Sequence, residues 1–142
     1  MKASALQQAV YARLNDSSIT ALLSTAYAPL PAIFTDVPQA ADSEEAASFP
    51  FITFGADAIT PYDVKDAPGG SAIVQVDIWD RAASMLDLKA LVDAVDARLR
   101  RQTLTISGAT HITTELDSCT ITRDPDGKTK RALVLYRVLW IA

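Results

Sequence analysis

The stretch from Thr110 to Ala142 reads THITTELDSCTITRDPDGKTKRALVLYRVLWIA, two alternating runs on either side of Asp124-Pro125-Asp126-Gly127. Proline presets φ for the second position of a type I turn, Asp124 before it offers a carboxylate to the turn amides, and Gly127 accepts the left-handed position where such hairpins bulge. The stretch is therefore expected to be one long β-hairpin. In its second arm, Arg131 to Ile141, residues Ala132, Val134, Tyr136, Val138 and Trp140 share one face, and Leu133, Leu135 and Leu139 share the other. A strand apolar on both faces belongs in the middle of a sheet or under cover on both sides.

Upstream, Ala72 to Trp79 alternates clearly, with Ala72, Val74, Val76 and Ile78 set to face a core and Ile73, Gln75, Asp77 and Trp79 on the opposite face. Asp80 stands where it would cap a following helix, in which Met85, Leu88, Val92, Val95 and Leu99 recur at steps of three and four. Arg98, Arg100 and Arg101 fall in its last turn, where cations complement the carbonyl end of the helix dipole. Phe49 to Ile59 alternates as a further strand. Between these two strands, Thr60 to Ser71 carries Pro61, Pro68, Gly69 and Gly70 and reads as a loop, mobile until a partner orders it.

At the N-terminal end, Leu6, Ala9, Val10 and Leu14 mark a helix over Ala3 to Leu14. Asn15-Asp16-Ser17-Ser18 supplies stop and cap chemistry before a short helical turn or two over Ile19 to Leu23. Pro29 and Pro31 end helical possibilities, Ile33 and Phe34 form a brief strand, and Asp36 to Ser48, with its acidic run Asp42-Ser43-Glu44-Glu45, is surface loop. The elements assemble as an α+β fold: a single, mainly antiparallel sheet with two main helices packed on one face and a long C-terminal β-hairpin.

A chain of 142 residues buries enough surface for one unstapled core, so residues 1–142 are expected to form a single domain. With 49% apolar and 21% charged residues it belongs among folded globular chains. Cys119 is the sole cysteine, so no internal disulfide is expected, and a buried, inert thiol is the simplest role for it. The N-terminal residues lack a signal-type apolar core, and no run of ~18 apolar residues occurs, so neither secretion nor a membrane partner is expected. A net charge of −4 disfavours broad attraction to nucleic-acid phosphates and leaves room only for local or indirect contact, without sequence-specific recognition.

Catalytic chemistry finds no footing. His111 and Cys119 are the only histidine and cysteine, eight residues apart on one expected strand, or about 26 Å at ~3.3 Å per residue. They cannot touch. No metal site is expected either: the chain lacks paired cysteines and a second histidine, and Asp124-Pro125-Asp126-Gly127 has no acidic residue closing a calcium loop. Gly69-Gly70 lacks the lysine and helix of a phosphate-binding loop, and no cofactor is expected. Asp87, Asp93 and Asp96 read as the wet face of their helix. Trp79 is a large aromatic on the more polar face of its strand, open to two readings, an interface anchor or a side chain covered by an internal loop.

Taken in order, the N-terminal helix, the Asp36-Val37-Pro38-Gln39 loop, the Phe49-Pro50-Phe51-Ile52-Thr53-Phe54 strand, the Val74 to Arg81 strand and turn, the amphipathic helix and the Arg123 to Gly127 turn resemble the tail-terminator, or tail-completion, proteins of long-tailed bacteriophages and gene transfer agents. The resemblance implies a structural, non-enzymatic virion protein assembled in the bacterial cytoplasm. It implies a self-associating ring, commonly a hexamer, that caps the head-proximal end of the tail tube, stops its growth and offers a joining surface to a head-tail connector or neck protein. Another neck or connector role, or a small cytoplasmic enzyme, are the alternatives. The residues expected at the subunit or tail interface are Tyr62, Val64 and Lys65 in the loop and Gln75, Asp77, Trp79 and Arg81 along the strand that follows.

Overall fold

The computed structural model describes residues 1–36 and 48–142; the expectations for residues 37–47, including the acidic run, lie outside the described residues. The elements are α1 (Ala3–Leu14), α2 (Ser17–Thr20), β1 (Ile33–Phe34), β2 (Phe51–Phe54), β3 (Ala58–Pro61), β4 (Gly69–Asp80), α3 (Met85–Leu99), β5 (Thr110–Arg123) and β6 (Lys130–Ile141). They build one mixed, mostly antiparallel sheet in the order β1-β2-β4-β6-β5, with β3 alongside β4. β6 is central between β4 and β5, as its two apolar faces predicted.

The even-numbered residues of β4 and β6 form the core wall: Ala72, Val74, Val76 and Ile78 with Ala132, Val134, Tyr136, Val138 and Trp140 are all buried. Leu88, Leu91, Val95 and Leu99 of α3 pack on them, and Leu6, Ala9, Val10 and Leu14 of α1 join the same cluster. Each large aliphatic side chain so removed from water contributes about 2 kcal/mol against the entropy of ordering the chain. Tyr136 ties helix to sheet, its hydroxyl donating to Asp96 Oδ1 at 3.0 Å. Asp96 is thus half-buried and engaged, unlike Asp87 and Asp93, which form the expected wet face. Arg98 serves a neighbour as well as its own helix end: its Nε donates to the Arg13 carbonyl at 2.9 Å, and Arg13 Nε returns a bond to the Arg98 carbonyl at 3.0 Å.

Three local expectations are corrected. The cap of α3 is Ser84, whose Oγ accepts from the Leu86 amide at 3.1 Å, while Asp80 Oδ1 instead accepts from the amides of Arg81 and Ala82 in the turn before the helix. The Phe49 to Ile59 run divides into β2 and β3, because four steps from Phe54 to Ala58 face three from Val76 to Ile73, the extra residue of a bulge. Cys119 is exposed, because it sits on the outermost strand, β5.

The largest correction concerns Thr60 to Ser71, which is a β-hairpin. Pro61 pairs with Gly70, the Tyr62 amide donates to the Gly69 carbonyl at 3.0 Å, and Val64 and Ala67 exchange bonds of 2.9 and 3.3 Å around the two-residue tip Lys65-Asp66. The glycines that suggested a loop are fitted to the strand. The Trp140 indole of β6 lies against Gly70, and a Cβ there would stand 2.7 and 2.8 Å from Trp140 Cε2 and Cη2. Pro61 is tolerated because β3 pairs on one side only.

At the opposite end, the β5–β6 turn forms as its sequence predicted, with Gly127 at φ +72° and its amide donating to the Asp124 carbonyl at 3.1 Å. The carboxylate that organises the turn is Asp126 and not Asp124: Oδ1 accepts from the amides of Lys128 and Thr129, and Oδ2 from the Thr129 hydroxyl. Those bonds hold the Asp126 carboxyl down to about 2.

Candidate assembly surface

The period of two that sends the even residues of β4 and β6 to the core sends the odd residues to the other face. Among the described residues that face carries no helix: α3 contacts the sheet from the core side, and α1 and α2 pack against α3. Ile73, Leu133, Leu135, Leu139 and Ile141 are all half-buried, and none belongs to the core cluster or packs against it. Cross-strand neighbours continue the row, with Ile73 opposite Arg137, Gln75 opposite Leu135 and Asp77 opposite Leu133. The outcome is an aliphatic band bounded by paired charges, with Arg137 Nη2 3.2 Å from Asp117 Oδ1 on the β5 side.

At one end of this face the strand residues Gln75, Asp77 and Trp79 come together. Asp77, 5% exposed, receives Gln75 Nε2 at 3.0 Å and Arg131 Nη2 at 3.0 Å. The Arg131 guanidinium lies 4.9 Å from the Trp79 ring, so one cation serves a buried carboxylate and an aromatic face together. Trp79 stacks on Phe51 with centroids 6.3 Å apart and donates its indole N–H to Thr53 Oγ1 at 3.0 Å. Its polar handle is spent inside the subunit. Arg81 connects through a second ring, 4.3 Å above Phe49, which in turn is 4.9 Å from Phe51, and its Nε donates to Thr129 Oγ1 at 3.0 Å.

Tyr62, Val64 and Lys65 sit elsewhere. They belong to the β3–β4 hairpin at the opposite end of β4, where Tyr62 is 48% and Val64 40% exposed. The expected interface residues are therefore two groups, separated by the length of β4. Beside the second group a concavity of about 490 Å³ is lined by Ile59, Pro61, Pro68, Gly70 and Trp140 among others, a mainly apolar hollow.

Nothing in the geometry assembles a reaction centre from the two residues weighed for one. His111 stands opposite Trp140 with its Nε2 2.7 Å from Thr114 Oγ1, and Cys119 stands opposite Val134. Partial desolvation against the sheet, followed by the charges of Asp96 and Asp93, pushes the Cys119 thiol up, the reverse of what a nucleophile requires. Among the described residues no group of three His, Cys, Asp or Glu side chains could hold a metal ion. Among the described residues no helix is long and apolar enough to cross a membrane.

Residues 8–140 match the family described as "Tail completion protein gp17". The chain belongs to that family. Its fold is shared by a chain from the structure described as "Virion of native gene transfer agent (GTA) particle", with a TM-score of 0.82, 21% identity, and 99% of this chain and 98% of that chain covered. No curated protein sequence matches. As a tail completion protein, the chain is a structural component of the virion tail.

Sequence reasoning missed two parts of this tail completion protein's surface. In the sequence Arg131 is only the start of a strand, although the register that places it opposite Trp79 follows once β4 and β6 are known to pair. The split of the aliphatic residues into a core row and an outer row was visible as alternation, but which row the helices would cover was not.

Proposed function

We propose that this chain is a single-domain subunit of a ring, a hexamer in our reading, that caps the head-proximal end of the tail tube. The ring stops tube growth and presents the surface on which a head-tail connector or neck protein joins. Its partners are further copies of itself, the tail tube protein and that neck protein, met in the bacterial cytoplasm during assembly. The work is structural and needs no catalysis, cofactor or metal.

The observation that carries this reading is the helix-free face of the sheet. A row of five half-buried aliphatic side chains outside the core leaves apolar area in water that a neighbouring copy would cover, at a gain of about 25 cal/mol per Å². A ring requires a heterologous contact, in which this face meets a different patch of the next subunit, and closure then limits growth. Gln75, Asp77, Trp79 and Arg81 lie at one end of the face, and Tyr62, Val64 and Lys65 at the tip of the hairpin beyond its other end. Both groups fall at the subunit or tail contact in this reading.

The test is mass measurement of the purified protein, followed by imaging of tails assembled with and without it. A ring in solution, and tails of uncontrolled length that fail to join heads in its absence, are the expected results. Leu135→Glu should abolish the ring while leaving the melting curve of the subunit cooperative. Normal, joined tails without the protein would refute the proposal, as would imaging that places the ring away from the tube end, in the neck.

A further inference from the structure

At the end of the sheet formed by the β5–β6 turn, a cleft of about 480 Å³ opens between the residues following β4 and the hairpin. It is lined by Arg81, Ala82, Ala83, Arg123, Gly127, Lys128 and Lys130. Every described charged residue in that lining is a cation, in a chain whose net charge is −4. Arg123 and Lys128 are exposed, and neither forms an ion pair with a described residue.

Lys130 is the unusual member. It is 7% exposed, its ammonium donates to the Ala82 carbonyl, and no described carboxylate forms an ion pair with it. An ammonium has three donors, and a buried cation without a counter-charge is costly. Among the described residues, the carboxylates nearby are committed elsewhere or stand apart. Asp80 is the cross-strand neighbour of Lys130 but uses Oδ1 on the amides of Arg81 and Ala82, and its buried Oδ2 has no hydrogen bond. Asp126 is folded into its own turn, and Asp124, the first residue of that turn, does not line the cleft.

We propose that this cleft grips the phosphates of a nucleic-acid strand without reading its bases. A lone carboxylate brings one charge, whereas successive phosphodiesters bring one charge for every ~3.4 Å of a strand and so address Arg123, Lys128 and Lys130 together. Arginine forks and lysine point charges both suit phosphate oxygens. Because the rest of the surface is acidic overall, the grip is local, weak and strongly dependent on salt, with no long-range attraction behind it.

The experiment uses the full chain and a labelled oligodeoxythymidine of ~15 nucleotides, a length within reach of one small domain, followed by fluorescence anisotropy. Salt is varied from about 50 to 200 mM, where phosphate contacts lose affinity steeply. Wild type should bind at the low end. Arg123→Glu combined with Lys128→Glu should weaken binding at least about tenfold and flatten the slope of log K against log salt by about 1.4, since each single-strand phosphate contact contributes ~0.7. Both positions are exposed, so the melting temperature should hold; Lys128→Gln alone, with a smaller loss, serves as the milder variant. Inorganic phosphate should compete only far above the oligonucleotide's phosphate concentration, because it lacks the repeated charge. No binding at low salt would overturn the proposal, as would unchanged binding by the double variant. Equal affinity for free phosphate would reduce the cleft to a single-anion site, and equal affinity for polyglutamate would assign it to an acidic protein segment; either outcome also defeats it. None of these results bears on ring formation.

Discussion

Gly70→Ala tests the register of the sheet at its most crowded point. Gly70 pairs with Trp140 across β4 and β6 and with Pro61 across β3 and β4, and Trp140 is 2% exposed. An alanine Cβ would stand 2.7 Å from Cε2 and 2.8 Å from Cη2 of that indole, closer than carbon atoms approach, and closer still to Cζ2. The backbone at Gly70 is ordinary strand, so no conformational strain enters and the entire effect must come from contact. A rigid, buried indole cannot yield as a flexible side chain would. Overpacking of this kind costs about 1–3 kcal/mol. For a chain of this size each kcal/mol moves the melting temperature by about 3 °C, so Tm should fall by about 3–10 °C, with a matching loss in the urea midpoint. The control is a double-mutant cycle. In a Trp140→Leu background, itself less stable by about 2–4 kcal/mol from the cavity it opens, the added cost of Gly70→Ala should shrink to within ~0.5 kcal/mol. A Gly70→Ala protein as stable as wild type, or one that pays the same penalty in both backgrounds, would refute the reasoning and with it the β4–β6 register that sets Gly70 against Trp140.

Asp77→Ala should destabilise the subunit by about 1–3 kcal/mol in urea titration, because it leaves the Gln75 amide and the Arg131 guanidinium without their shared acceptor; an unchanged midpoint would show that the pair contributes nothing net. The Asp126 carboxyl, at 3.8 when free and about 2 in the folded turn, contributes stability that is present above the free value and is lost as pH falls from about 4 through 2. Asp126→Asn should therefore flatten that part of the acid limb and leave the curve above pH 5 parallel to wild type, whereas an identical acid limb in both proteins would contradict the turn geometry. The exposed Cys119 thiol should react stoichiometrically with an aromatic disulfide in the native, isolated subunit. Its raised pKa makes that reaction slower than for a free thiol and accelerates it as pH climbs, so a thiol that stays silent until denaturant is added would count against the exposed edge position of β5.

Most of the local structure was legible because it is set by short-range chemistry. The helix over Ala3–Leu14 follows from the spacing of Leu6, Ala9, Val10 and Leu14, and the β5–β6 turn from proline and glycine at fixed offsets. The division of β4 and β6 into a core face and an outer face follows from a period of two. The family was legible for a related reason: the order of these elements, each weak alone, is itself a pattern that sequence preserves. What the chain could not disclose depends on which strands become neighbours. Gly69 and Gly70 looked like loop because glycine lacks strand preference, and only the arrival of the Trp140 indole across β6 turns that lack into a requirement. Asp77 and Arg131 are 54 positions apart and meet only because β4 and β6 pair in one register. The basic cleft likewise gathers cations from the end of β4 and from both sides of a distant turn. Periodicity and turn chemistry act over a few residues and can be read in order, whereas steric fit, ion pairing and the exposure of one sheet face are properties of neighbours in space, which the tertiary structure alone decides.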